Sequence, residues 1–327
     1  MARIVTGTRR AVTDPLKHSQ PLGGLLALLG VARCMPLLHG AQGCSAFAKA
    51  LLTKHFREPI PVQTTALTEV STVLGSADSL RTALDAVTQR YQPEVIGVLT
   101  TGITELSGED MAGVLPRRPP GDDGPLLLAA STPDFRGGLS DGWSATLLAL
   151  VTAAGNDGAT GEDGAGDGGT QGGACGRTAE GAPVADLVAV PTGVSLTAVD
   201  LDEVAGLVRS FGLRPLLVPD LSRSVDGHLA EGWSPLTTGG TTRADLLALP
   251  RAATVLPVGA SAAAAGAALA ARSGATLVGF GHATGLAAVD ALVAALIDLT
   301  DRPVPDRVRH WRARLADGLL DSHFVLG

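Results

Sequence analysis

Short, unbroken apolar runs recur along the chain: MPLLH (35–39), EVIGVLTT (94–101), PLLLAAS (125–131), DLVAVPT (186–192), RPLLVPD (214–220), ATVLPVG (253–259) and ATLVGFG (275–281). A strand with one wet face alternates apolar and polar positions. These runs do not alternate, so they predict strands covered on both faces, as in a parallel sheet. Amphipathic stretches of helical length lie between them. SADSLRTALDAVTQRY (76–91) sets Leu80, Leu84 and Val87 at helical spacing behind a cap at Asp78 or Ser79. TAVDLDEVAGLVRSFG (197–212) carries acids in its first turn, Arg209 in its last, and Gly212 where a helix-ending glycine belongs. Strands alternating with helices predict an α/β fold of doubly wound parallel sheets.

With 327 residues the chain has room for about two domains. The pattern places the first at 1–152 and the second at 184–305. Between them, 153–183 is rich in Gly, Ala and Asp without periodicity. It offers too little apolar surface to offset the entropy of ordering, so a flexible loop is expected there. Cys175 falls inside it and reads as an incidental thiol, and the Asp spacing matches no EF-hand loop. The last segment, 306–327, reads as a helix with Val308, Trp311, Leu315, Leu319 and Leu320 on one side, ending on HFVLG as the opening of another strand.

Net charge is −7 and the basic residues form no stripe, which argues against nucleic acid as a partner. The longest apolar runs fall short of the ~20 residues a bilayer span needs. The N-terminus has no apolar core of a signal peptide, and three scattered cysteines do not make a disulfide framework, so a reducing cytoplasm is expected.

Cys44 stands out, behind Gly43 and at the start of the helical pattern in HGAQGCSAFAKALLTKHF (39–56). Glycine lets a bulky object come close to the backbone, and the positive end of a helix favours a thiolate. Spacing alone favours the alternative, a small buried hydrophobe. As a nucleophile Cys44 would need a base, and nothing in the sequence orients His39 or His55 toward it. The remaining motifs are weak. GFGHATG (279–285) follows a strand but lacks the dinucleotide-binding spacing, so a tight turn is the expected use. P-loop, HExxH, CxxC and GxSxG motifs are missing from the chain. His18, His228, His282, His310 and His323 show no ligand spacing, and Glu109 and Asp110 read as the first turn of a helix.

Taken together, HSQPLGG (18–24), HGAQGC (39–44), HFREPIP (55–61), TEVSTVLG (68–75), VIGVLTTGITE (95–105), STPDFRGGLSDGW (131–143) and RLADGLLDSHF (314–324) resemble the nitrogenase component 1 family over nearly the whole chain. The resemblance implies Rossmann-like domains of the nitrogenase component 1 type, with the family's usual third domain missing after 306–327. It is closest to the scaffold subunits on which the iron–molybdenum cofactor precursor matures. These have no substrate chemistry of their own and pair with a NifE-type subunit in an α2β2 heterotetramer, served by cofactor-delivering and iron-protein partners. In the related nitrogenase β subunit three cysteines and a serine ligate the P-cluster. Carried over, the cysteines fall on Ser19, Cys44 and Gly102, and the serine near Gly138. Only Cys44 keeps a thiol, so the resemblance implies one ligand to a 4Fe–4S cluster shared with the partner. Gln42 and Gly43 would line it, with Ser19 nearby, while Cys34 packs in a strand. Two rival readings stay open: a nitrogenase β subunit or related oxidoreductase component, and a small-ligand α/β protein in which Cys44 is packing.

Overall fold

The computed structural model describes residues 19–108, 111–116, 124–156, 183–227, 232 and 234–326. The first half runs α1 (Gln20–Leu29), β1 (Cys34–His39), α2 (Gln42–His55), β2 (Gln63–Thr64), α3 (Glu69–Leu74), α4 (Ala77–Tyr91), β3 (Val95–Thr100), α5 (Gly102–Ser107), α6 (Met111–Val114), β4 (Leu126–Ala130) and α7 (Leu139–Asn156). The second runs β5 (Val184–Pro191), α8 (Ala198–Ser210), β6 (Arg214–Val218), α9 (Arg243–Ala248), β7 (Ala252–Val255), α10 (Ala263–Ser273), β8 (Thr276–Leu277), α11 (Leu286–Thr300) and α12 (Asp306–Leu326). Two four-stranded sheets result, ordered β2-β1-β3-β4 and β6-β5-β7-β8, with every pairing parallel.

The unbroken apolar runs are explained by what covers each face. In β1 and β3, Cys34, Leu38, Val95 and Leu99 pack toward α1 and α7, while Met35, Leu37, Ile96 and Val98 pack toward Leu80, Leu84 and Val87 of α4. The second sheet is built likewise. Val188, Val190 and Leu217 meet Leu201, Val204 and Val208 of α8, while Ala189, Leu216 and Val218 join the core that contains α1 and α7. That core is continuous across both sheets. Trp143 on α7, 1% exposed, donates its indole N–H to Thr192 O (2.7 Å) at the end of β5. Arg272 on α10 donates to Thr152 O (2.8 Å) on α7.

Three local expectations are revised. The cap of α4 is Ser76, not Asp78 or Ser79, and its hydroxyl bonds His39 instead of capping the helix. Helix α7 continues to Asn156, so its last turn occupies the first residues of the expected 153–183 loop; 157–182, with Cys175, lies outside the described residues. At the C-terminus α12 continues through Leu326, so FVL is helical and not the start of a strand. Trp311, Leu315, Leu319 and Leu320 lie exposed on it, and Val308 is partly buried against the second core. His18, Glu109, Asp110 and His228 lie outside the described residues.

Candidate functional site

Open parallel α/β sheets bind ligands beyond the carboxyl ends of their strands, where the strand order reverses. In the first sheet that point lies between β1 and β3. The segment after β1 leads directly into α2 and Cys44, and the segment after β3 into α5 and Gly102. At the equivalent point of the second sheet, between β5 and β7, the two loops lie directly against each other. A Cβ built on Gly193 would lie 2.8 Å from Gly259 Cα, and Val194 N–H donates to Ser261 Oγ (3.0 Å). Topology therefore singles out the surroundings of Cys44 without reference to any relative.

A layer of threonines fixes the loops at this end of the sheet. Thr101 and Thr104 hydroxyls both donate to His39 O (3.1 Å each). Thr132 donates its backbone N–H to Thr100 Oγ1 (2.7 Å) and its hydroxyl to Thr100 O (2.6 Å), which ties the loop after β4 to the end of β3. The His39 ring is buried, with Nδ1 3.0 Å from Thr65 Oγ1 and Nε2 2.8 Å from Ser76 Oγ. It is held by two hydroxyls that the sequence did not link to it, and it ties together the connections after β2 and before α4. His55 lies at the other end of α2, edge-on to the Phe56 ring.

Cys44 is half-buried in the first turn of α2, with its N–H on Ala41 O (3.1 Å). Gln42 and Gly43 are exposed beside it, and a Cβ on Gly43 would meet no atom of the chain within 4 Å. Ser19, the residue before α1, bonds through its side chain to the Asp134 carboxyl. Asp134 Cβ is 3.9 Å from where a Cβ on Gly102 would stand. Gly138 is turned to other work, its N–H on Asp141 Oδ2 (2.8 Å). Asp134 is thus the residue of the loop after β4 that bonds Ser19, lies against Gly102 and acts on Cys44 through its charge, and the sequence reading missed it. STPDFRGG carries part of the family resemblance, but Asp134 lies 90 residues from Cys44 and 115 from Ser19 along the chain, so only the fold shows their proximity.

The electrostatics revise the helix-dipole expectation. Burial pushes the Cys44 thiol above its ordinary pKa, the Asp134 charge pushes it further, and the backbone groups of Cys44 and Ala41 oppose both. Asp134 is itself raised by burial, with the Ser19 bond pulling it down. In the chain alone Cys44 is therefore a protonated thiol at neutral pH. Asp134→Asn removes one raising cause and is expected to shift the pH profile of Cys44 alkylation by iodoacetamide to lower pH, followed by mass spectrometry of the Cys44 peptide. A profile identical to that of the parent would remove Asp134 from the account. Cys34 is wholly buried at the start of β1, with its thiol held far up by burial, and serves as packing.

As a seat for an iron–sulfur cluster these residues fit one corner. Cys44 supplies a soft donor, and Gly43 and Gly102 leave its flanks free of side-chain bulk. Among the described residues no group of three His, Cys, Asp or Glu gathers that could hold a metal ion, so a cluster here needs donors from beyond them. Nor, among them, is any helix long and apolar enough to cross a membrane.

Comparisons with known proteins identify the family. A family model described as nitrogenase component 1 type oxidoreductase matches residues 19–327. The nitrogenase iron-molybdenum cofactor biosynthesis protein NifN of Rippkaea orientalis is 40% identical over 346 residues, covering 100% of this chain and 71% of its own length. NifN of Rhizobium meliloti is 38% identical, covering 99% of this chain and 70% of itself, and NifN of Rhodobacter capsulatus 38%, with 99% and 67%. A solved structure of nitrogenase Cp1 at pH 6.5 superposes with a TM-score of 0.78 at 25% identity, over 97% of this chain and 65% of that one. Fold and sequence agree: the chain belongs to the nitrogenase component 1 type oxidoreductase family.

Proposed function

We propose that this chain is a scaffold subunit for biosynthesis of the nitrogenase iron–molybdenum cofactor, of the NifN type. It pairs with a NifE-type subunit in an α2β2 heterotetramer, and the complex holds the cofactor precursor. Cofactor-delivering and iron-protein partners exchange cargo with that complex. The observation that carries the reading is the identity with eight curated relatives, 33–40% over 99–100% of this chain, each of them a nitrogenase iron-molybdenum cofactor biosynthesis protein NifN.

At the site, Cys44 is this chain's ligand to a 4Fe–4S cluster, and the partner provides the remaining thiolates. Bound there, the cluster supplies electron transfer. Gln42 and Gly43 border it, and Ser19 holds Asp134 beside it. The β-subunit reading is disfavoured because the positions that would need thiols hold Ser19 and Gly102. Glycine offers no side-chain donor, and a hydroxyl at Ser19 is a harder and poorer donor to iron than the thiolate that position would need.

The test is co-expression with a NifE-type subunit together with the upstream cluster-assembly proteins. The expected product is a brown complex whose extract, supplied with molybdate, homocitrate and iron protein, activates cofactor-free nitrogenase. A complex that itself reduces acetylene at nitrogenase rates, or one that is free of iron, would overturn the proposal.

A further inference from the structure

Asp134 stands in a loop, yet three contacts fix its place. Two residues before it, Thr132 makes two bonds to Thr100 at the end of β3 (2.7 and 2.6 Å). Its carboxyl accepts from the Ser19 side chain, which comes from the segment before α1. Beside it lies Gly102, the first residue of α5, where an added Cβ would touch Asp134 Cβ and Phe135 Cδ1 at 3.9 Å each. Glycine there puts no side chain against the carboxyl. The start of α5 is tied in turn to the end of β1, because Thr101 and Thr104 both donate to His39 O, and β1 leads into Cys44. The carboxylate is therefore held at a set position relative to the thiol.

Its charge is also left standing. No ion pair among the described residues includes Asp134. The basic side chain nearest in sequence, Arg136, lies with its guanidinium over the Phe135 ring, 5.4 Å from its centre. The charge acts on Cys44 already in the free chain, where the backbone groups of Cys44 and Ala41 at the positive end of α2 work against it.

We propose that Asp134, held in place by Ser19, sets the reduction potential of the cluster bound at Cys44 and keeps it low. The inference rests on the function proposed above and deepens it. Neither residue is a ligand: Asp134 acts through its charge, and Ser19 acts through Asp134. Reduction adds one electron to the cluster and takes its core from 2+ to 1+. A fixed negative charge nearby makes that electron harder to add, so the potential falls.

The test is a redox titration of the complex with a NifE-type subunit at fixed pH, with dithionite as the reductant and electron paramagnetic resonance as the readout. Asp134→Asn removes the charge while keeping the size and an oxygen for the Ser19 hydroxyl. Its ratio of reduced to oxidised cluster at a given potential should rise at least tenfold, a positive shift of ~59 mV for one electron. Asp134→Glu should stay nearer the parent. Ser19→Ala, which frees the carboxylate to turn toward water, should shift the midpoint the same way by less. Asp85→Asn on the exposed side of α4 removes an equal charge elsewhere and should leave the midpoint in place. Equal midpoints for the parent and Asp134→Asn, or the same shift in Asp85→Asn, would overturn the inference and leave the proposed function standing. Loss of cluster iron in both Asp134→Asn and Asp134→Glu would also overturn it, by making the residue a requirement for holding the cluster. A parent complex without iron would overturn the proposed function and this inference with it.

Discussion

Cys44→Ala should give a complex that still pairs with its NifE-type partner but lacks the interface cluster. The two properties separate because they rest on different chemistry. The substitution leaves the exposed apolar residues of α2, α3 and α5 in place, so nothing beyond the thiol changes on that face. Cluster retention rests on a soft thiolate, for which a methyl group has no substitute. Electron paramagnetic resonance of the dithionite-reduced complex, with iron analysis, should show loss of the interface signal at unchanged subunit ratio. Cys44→Ser should fall near the alanine variant, since a hydroxyl is a poor donor to iron in a sulfide environment. Loading should also release a proton, because burial and Asp134 keep the free thiol protonated. A full-strength cluster signal in the alanine variant would end the ligand assignment.

How much of this was legible beforehand depends on whether the deciding interaction is local. The strands were readable because burial on both faces writes itself as an unbroken apolar run, and β1 and β3 begin and end within a residue of the expected bounds. Gly212 was readable because a helix end needs a residue tolerant of positive φ, and it stands at +76°. The cap of α4 was misplaced because three candidates crowd residues 76–79, and nothing local says that Ser76 is engaged with a histidine 37 residues earlier. The strand expected at FVL failed because three apolar residues after a helix do not distinguish a strand from another turn of that helix.

The site divides in the same way. Cys44 could be seen in the sequence but not interpreted, since its spacing suits a buried hydrophobe and only the resemblance assigned it a role. Its half-burial and its place at the reversal of strand order are facts of the sheet. Ser19 and Asp134 had to be brought together by β1, β3 and β4 lying in parallel. The exposure of α3 was hidden for a different reason. TEVSTVL (68–74) has the pattern of a helix with a core-facing side, yet α3 buries none of its residues.

Gly142→Ala should be among the most destabilising single substitutions in the protein, and it should disturb the site from a distance. Helices α1 and α7 meet at their first turns in a reciprocal contact. A Cβ on Gly142 would lie 1.9 Å from Gln20 O, and a Cβ on Gly23 would lie 1.9 Å from Leu139 O. Both obstacles are backbone, so no rotamer change relieves them and the helices must part. In an open helix position alanine would instead help, by about 1 kcal/mol through propensity. Gly206 in α8 is such a position, with nothing within 4 Å, so Gly206→Ala should leave stability unchanged or raise it. Against that gain, overpacking costs ~1–3 kcal/mol and more where backbone must shift. Gly142→Ala should therefore lower the thermal midpoint by several degrees while Gly206→Ala does not, as read by circular dichroism. The same displacement moves Gln20 and, next to it, Ser19, whose bond to Asp134 spans the α1–α7 junction. With that bond loosened, the pH profile of Cys44 alkylation should change in Gly142→Ala, even below its unfolding temperature, and stay as in the parent in Gly206→Ala. An unchanged profile in a destabilised Gly142→Ala would show that the junction supports the fold without setting the geometry around Cys44.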